Sequence, residues 1–306
     1  VCPVGAMTAK YFRFQKRVWL LSHTPTISMD DSLGANIWLD HADGRIYRVM
    51  PRCNPEVNRS WLSNTSRLAF QNFDKNRLPF MGFHVIQNLV SGVKAEGGKI
   101  ALAAGGTCTI EDLAALRMLK DSLGDSAELF GGTFKGVGSP DGIAMSGDPM
   151  ANRAGFKLMG VPENNLADLT KRAGEFKLLL TVNLDIFGED ASQASALEKI
   201  QNRVVLSAFN DETAAHGTLS CGVRHWSEVQ GTMVNSLNIL QKLNACPVCP
   251  DEKIRPAYEI LSELAGCKFE SAADAFKHAG KYAAALSGLS YDTIKSTGKL
   301  LEGGNA

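Results

Sequence analysis

The chain has 306 residues, 44% of them hydrophobic and 21% charged, and its 32 basic residues balance 32 acidic ones. This is the composition of a soluble globular protein with one large or two ordinary domains, and it leaves no net field to draw the molecule to nucleic acid or an anionic membrane. Seven cysteines at irregular positions (2, 53, 108, 221, 246, 249 and 267), with no signal peptide and no long apolar run, argue against a disulfide framework and a membrane span and for a reducing, cytoplasmic compartment.

The chain opens VCPVGAMTAK. A Cys-Pro pair is how many iron–sulfur motifs end, the thiolate ligating iron and the proline stopping a helix. Such a cluster needs four ligands, yet the next cysteine is Cys53. A start at Val1 without an initiator Met implies a piece of something longer, and the basic, aromatic stretch KYFRFQKRVWLL within residues 1–25 reads as a segment that packs against the missing part. From 33 to 52, apolar and polar residues alternate on either side of HADGR, which predicts a β-hairpin turning at Asp43-Gly44. NPEVNRSWLSNTSRLAF then gives an irregular return and a short helix.

Beyond Pro79 the period changes. GFHVIQNLVSGVKAEGG predicts an amphipathic helix closed by Gly97-Gly98, KIALAAGG a buried strand, and TIEDLAALRMLKDSLG a second helix with Thr109 as N-cap and Asp112 in an imperfect capping box. The strand-then-helix pattern recurs in FKLLLTVNLDIFGED with ASQASALEKIQ, and in NRVVLSAFNDETAAHG. Such repetition predicts a doubly wound, mostly parallel sheet with flanking helices. PAYEILSELAG, SAADAFKHAGKYAAAL and YDTIKSTGKLL predict a helical tail.

Four stretches in register, VCPVGAMTAKYFRF, RVMPRCNPEVNRSWLSNTSRLAF, PMANRAGFKLMG and SEVQGTMVNSLNILQ, resemble the large iron–sulfur subunit of respiratory complex I. The resemblance implies that residues 1–25 end a ferredoxin-like region and its linker, with Cys2 the last ligand of a four-iron cluster whose other cysteines lie upstream. It further implies a small β-hairpin domain over 26–75, a Rossmann-like α/β domain over 76–266 and a helical tail over 267–306. Some family members carry Cys-x2-Cys-x3-Cys-x27-Cys around the hairpin. Here the frame falls on Ser28, Asp31, Ala35 and Ser63. Alanine offers no ligand and serine or aspartate oxygen is a poor, hard substitute for sulfur, so the small domain reads as a vestigial cluster site kept for packing, with Leu33, Ile37 and Trp61 as fillers.

The related molybdopterin enzymes place Glu-Gly-Arg after a Gly-Thr-x-x-Asn stretch. GTMVN (231–235) is followed here by Ser-Leu-Asn-Ile, and Asn183 in TVNLDIFG marks the only nucleotide-half strand end. The resemblance therefore implies a non-catalytic scaffold within an electron-transfer subunit of an NADH-quinone oxidoreductase. Its iron–sulfur clusters would belong to the intact protein, with none in residues 1–306 alone. Expected partners are the NADH-binding and quinone-side iron–sulfur subunits, peripheral to the inner membrane without insertion into it. The alternative is a molybdopterin or formate-dehydrogenase-like oxidoreductase. Loss of the pterin contacts predicts a groove at the strand ends that is shallow or plugged.

CPVC (Cys246 to Cys249) has the spacing of a redox pair or half a zinc site, for which Cys221 and His225 would be the obvious further ligands; the other reading is an extended loop. The glycine-rich GGTFKGVGSPDG lacks the Gly-Lys-Ser/Thr ending of a phosphate loop. The scattered histidines fit no hydrolytic triad.

Overall fold

A computed structural model describes residues 8–301, so Cys2 lies outside the described residues. Strands β1 (Ser22–Ile27), β2 (Asn36–Ala42) and β3 (Arg45–Pro51) form an antiparallel meander in that order. Ala42 pairs with Arg45 across the turn the sequence marks. Asp43 and Gly44 both take positive φ, 51° and 72°, the primed turn whose twist matches that of the strands it joins. Ile37, Leu39 and Val49 bury one face, and Ile27 joins them in a core with Met29, Leu62 and Phe70. Helix α1 (Asn64–Ala69) starts at Ser63, whose Oγ accepts the Ser66 amide at 3.1 Å.

Next come α2 (Phe83–Ala95), β4 (Lys99–Gly105), α3 (Ile110–Leu123), β5 (Ala127–Gly132), α4 (Arg153–Leu158), α5 (Leu166–Lys171), β6 (Phe176–Val182), α6 (Ile186–Glu189), α7 (Ala194–Leu197), β7 (Asn202–Ser207), α8 (Glu212–Ala215) and β8 (Leu219–Gly222). The five strands are parallel in the order β5-β4-β6-β7-β8, the doubly wound arrangement in which the chain reverses its direction of travel between β4 and β6. Both faces are covered, as a parallel sheet requires: Leu178 and Leu180 face one core, Leu179 the other. The α/β class, with its small antiparallel sheet first, is therefore as the sequence predicts. Thr109 and Asp112 complete their capping box in both directions. ASQASALEKIQ yields only the single turn α7, because Asp190 accepts the Ser192 amide and hydroxyl and draws the start of the segment into a tighter 3-10 turn.

The remaining elements are β9 (Gly231–Val234), β10 (Ile239–Leu243), α9 (Ala257–Leu264), α10 (Ala272–Ala279) and β11 (Lys299–Leu300), with a second small sheet ordered β11-β10-β9. Helices α9 and α10 pack on α3. The tail is not helical throughout. After one 3-10 turn at Tyr291–Thr293 the chain makes a further turn, the Gly298 amide donating to the Lys295 carbonyl at 3.0 Å, and Lys299 and Leu300 then pair with Leu240 and Ile239. Tertiary fixation overrides helical spacing here: Ile294 is buried in the main core, and the Tyr291 hydroxyl donates to Glu111 at 2.7 Å.

Glu111 is fully buried and also accepts the amide and hydroxyl of Thr232, at 2.8 and 2.9 Å, so one carboxyl ties α3 to β9 and to the tail. Burial pushes it from its ordinary 4.5 up to about 7, against the pull of these donors. Between those values the folded chain keeps a proton that the unfolded chain has released. The stabilisation from this group is thus complete at low pH and falls as pH rises to about 7, by on the order of 3 kcal/mol. Urea midpoints are expected to decline across this window, and Glu111→Gln to flatten the decline. Some slope will persist, because burial also raises Asp112 and Asp211. An unchanged slope in the variant would refute the assignment.

Candidate functional site

The four positions of the cysteine frame are occupied by protein contacts. Asp31 is buried, and its Oδ1 accepts the amides of Leu33 (2.8 Å) and Ser146 (3.0 Å) and the Ser146 hydroxyl (2.7 Å), while its Oδ2 accepts the Gly147 amide at 2.9 Å. It thereby fastens the glycine-rich loop after β5 to the small domain. Ser28 Oγ donates to Asp30 Oδ2 at 2.5 Å, Ser66 bonds the same carboxyl, and Ser63 Oγ donates to Ser66 Oγ at 3.1 Å. Ser28 and Ser63 are thus joined through Asp30 and Ser66, whereas Asp31 bonds the opposite loop. Ala35 and Ile37 are buried and Leu33 partly so. Trp61, expected as a filler, is 59% exposed: Asn58 closes a turn by accepting the Trp61 amide on its carbonyl and donating its Nδ2 to the Trp61 carbonyl, which faces the ring outward.

The groove at the carboxyl ends of the parallel strands is broadly open to solvent and is not plugged by side chains. It holds about 660 Å³ between Thr107, Asn183 and Ser207 on the sheet side and Met29, Asp30 and Phe73 on the small domain. The small domain supplies the facing wall, with Thr65 and Leu68 of its helix also lining the space. Four carboxylates line it (Asp30, Asp185, Glu189 and Asp211) against one cation, Lys135, whose Nζ lies 3.8 Å from Glu189 Oε1. Asp211 caps α8 by accepting the Ala214 amide and also accepts the Ser207 hydroxyl; burial and the neighbouring Asp185 charge push it up to about 6. Such walls repel a phosphate-bearing ligand.

At one end of this groove His225 lies among Phe73, Phe209 and Trp226, with ring centroids 4.4, 5.1 and 5.0 Å away. Burial, with the Arg77 charge adding, lowers it to about 3, so the ring is neutral at physiological pH. Arg77 and Glu228 form a buried two-pronged ion pair at 2.5 and 2.7 Å. Cys246 is buried, its thiol pushed up to about 12 by burial, which leaves it a poor nucleophile. Cys249 is half-buried and donates to the Asp251 carbonyl, while Cys221 is buried. Among the described residues no group of three or more His, Cys, Asp or Glu side chains has a metal-holding arrangement.

Residues of the sequence motifs that lack the pterin contacts hold the fold together. Asn152 donates to the Cys108 carbonyl and accepts the Val234 amide, tying the β4–α3 loop to β9. Gly155 permits this, since a Cβ there would stand 2.1 Å from Asn152 Oδ1. Asn235 closes the β9–β10 turn by accepting the Leu237 and Ile239 amides and donates to the Leu33 carbonyl. Sequence reasoning missed the Arg77–Glu228 pair and the acidic groove. The first has no local signal at a separation of 151 residues, and the second is assembled from Asp30, Asp185, Glu189 and Asp211, which are spread too far along the sequence to form a motif.

Residues 21–71 match the family described as NADH-ubiquinone oxidoreductase NDSU1/NuoG-like, 4Fe-4S domain. The chain is 33% identical over 141 residues to an NADH-quinone oxidoreductase subunit of Rickettsia prowazekii, a match covering 41% of this chain and 21% of that one. It is 32% identical over 139 residues to the mitochondrial NADH-ubiquinone oxidoreductase 78 kDa subunit of Candida albicans, covering 40% and 19%. With the NADH-ubiquinone oxidoreductase 75 kDa subunit of Reclinomonas americana it shares 38% identity over 78 residues, covering 26% and 11%. The match therefore spans about a fifth or less of these relatives' lengths. The residues present do not fit a cluster in the matched segment: its sole cysteine is the exposed Cys53, and the frame positions carry no sulfur.

Proposed function

We propose that this NuoG-like chain is a non-catalytic scaffold portion of an iron–sulfur electron-transfer subunit of an NADH-quinone oxidoreductase. The observation that carries the reading is Asp31, which stands in the cysteine frame of a 4Fe-4S-type domain and has both oxygens engaged by backbone and hydroxyl donors. In this reading the clusters belong to the intact protein, Cys2 supplies the last ligand of one of them, and residues 8–301 hold that electron path against the NADH-binding and quinone-side iron–sulfur subunits. The subunit lies on the cytoplasmic side, peripheral to the membrane. Among the described residues no helix is long and apolar enough to cross it.

The test is metal content. Anaerobically purified residues 1–306 are expected to be colourless, with no stoichiometric iron by plasma mass spectrometry and no absorbance band near about 400 nm; about four irons per chain would overturn the reading. The open groove is the one observation on the side of the molybdopterin or formate-dehydrogenase-like alternative. Its four carboxylates oppose a pterin or nucleotide phosphate, so guanosine monophosphate is expected to leave the melting temperature unchanged. A dose-dependent rise with micromolar affinity would move the assignment to the enzyme.

A further inference from the structure

A cavity of about 890 Å³ lies between α10 and the segments on either side of it, and none of its lining residues belongs to the acidic groove. Two turns build it. Gly266, at φ 82°, ends α9 and leads the chain to Ser271, the N-cap of α10; after α10 the single 3-10 turn Ala284–Leu286 and Gly288, at φ 76°, bring residues 286–291 back to the cavity. Phe269, Leu286 and Tyr291 are buried in the main core and Leu289 packs against it, so the surface they keep gives the cavity an apolar floor.

The rim is positive. Lys268, Lys277 and Lys281 line the cavity against a single carboxylate, Asp274. The ion pairs that lysines form among the described residues are those of Lys16, Lys99, Lys135, Lys157 and Lys171, so no carboxylate neutralises these three by contact, and Glu259 acts on Lys268 only at longer range. His278 also lines the space, its ring 5.3 Å from Phe269 and 5.8 Å from Tyr282. Burial and the Lys281 charge hold it below its ordinary value against the pull of Asp121, so it offers a neutral N–H rather than a fourth charge. An apolar concavity with a few polar groups at its edge is the common form of a small-ligand site. We infer that this cavity binds a small amphipathic anion, a carboxylate or phosphate on an apolar tail, with its charge at Lys277 and Lys281 and its tail on Phe269, Leu286 and Leu289. The inference is independent of the electron-transfer reading.

Charge and shape select this occupant. The lysines repel cations, metal ions included, and a bare inorganic anion leaves the apolar floor in water. A second copy of the chain is the wrong partner on both counts: its exposed Phe14 and Trp19 are flanked by Arg13 and Arg17, and its carboxylates Asp30, Asp185, Glu189 and Asp211 line a groove that is itself concave. The described end of the chain leads away from the cavity. Lys242 holds the Tyr291 carbonyl near one end of β10, whereas the Leu301 amide bonds Asn238 beyond the other.

The molecule carries a reporter for the test. Cys267 is exposed and lines the cavity, so alkylation of its thiol by N-ethylmaleimide, read by peptide mass spectrometry on the full-length chain, follows occupancy, with exposed Cys53 as the internal control. Decanoate at about ten times its dissociation constant is expected to slow alkylation of Cys267 about tenfold, as for a thiol blocked whenever the site is filled, and to leave Cys53 unchanged. Decyltrimethylammonium, with the same tail and the opposite charge, and inorganic phosphate, a charge without a tail, are expected to protect neither thiol. Lys277→Glu combined with Lys281→Glu should weaken decanoate at least about tenfold, and circular dichroism checks that these surface changes keep the fold. Protection by phosphatidylglycerol vesicles as well would support the site and place the source of the anion in a bilayer; protection by decanoate alone would support it with a free ligand as the source. Equal protection by the cation or by phosphate, no protection by decanoate, undiminished protection in the double variant, or a Cys267 that resists alkylation because another segment covers it would each overturn the inference.

Discussion

Arg77→Ala is expected to lower the stability of the folded chain by about 3–5 kcal/mol, the cost of stranding one partner of a buried ion pair. Glu228 is 3% exposed and Arg77 8% along their side chains, and the two-pronged contact between them spans 151 residues of sequence. Arg77 also donates to the Phe73 and Ala208 carbonyls, and Glu228 accepts the His225 amide, so the pair joins the end of the small domain to β7 and to the loop before β9. Removing the guanidinium leaves a carboxylate in apolar surroundings with a single amide. Replacing both, as Arg77→Met with Glu228→Gln, removes the charges together and should restore a large part of the loss. Urea unfolding of the single and double variants measures this. A single variant within about 0.5 kcal/mol of the native chain would refute the role given to the pair.

Asp31→Ala is expected to cost about 2–4 kcal/mol, because three amides and a hydroxyl lose their acceptor at once in a site with little water. The effect should be local before it is global. Hydrogen exchange at the Ser146 and Gly147 amides is predicted to rise, and the glycine-rich loop to become cleavable by protease, under conditions where β4 and β6 stay protected. Asp31→Asn retains one acceptor oxygen and should lie between the two. Unchanged exchange at both amides in the alanine variant would remove Asp31 from its position as the fastening point.

What the sequence made legible was what local chemistry decides. The Asp43-Gly44 turn, the Thr109 cap and the apolar runs of β4, β6 and β7 each carry their own signal within a few residues, and each is where the pattern places it. The tail broke the rule because YDTIKSTGKLL has helical spacing, while its conformation is set by Glu111 and β10, which are remote in sequence. Trp61 was misplaced for the opposite reason: a large aromatic reads as core, but the Asn58 turn decides which way it faces. The acidic groove assembles Asp30 with Asp185, Glu189 and Asp211 from opposite walls, so no window of sequence contains it.

The filling of the cysteine frame with hydrogen bonds bears on how this region is made in the cell. A domain that closes around a metal group folds only as fast as the group is delivered, and chelators unfold it. Residues 22–71 instead close on a turn, a serine cap, an apolar face and the Asp31 contacts, all available as soon as the chain has been synthesised. If, as proposed, no cluster binds here, iron starvation and oxygen stress, which bleach a four-iron centre, would leave these parts intact, and the folding of this domain is expected to be uncoupled from the supply of sulfide and iron.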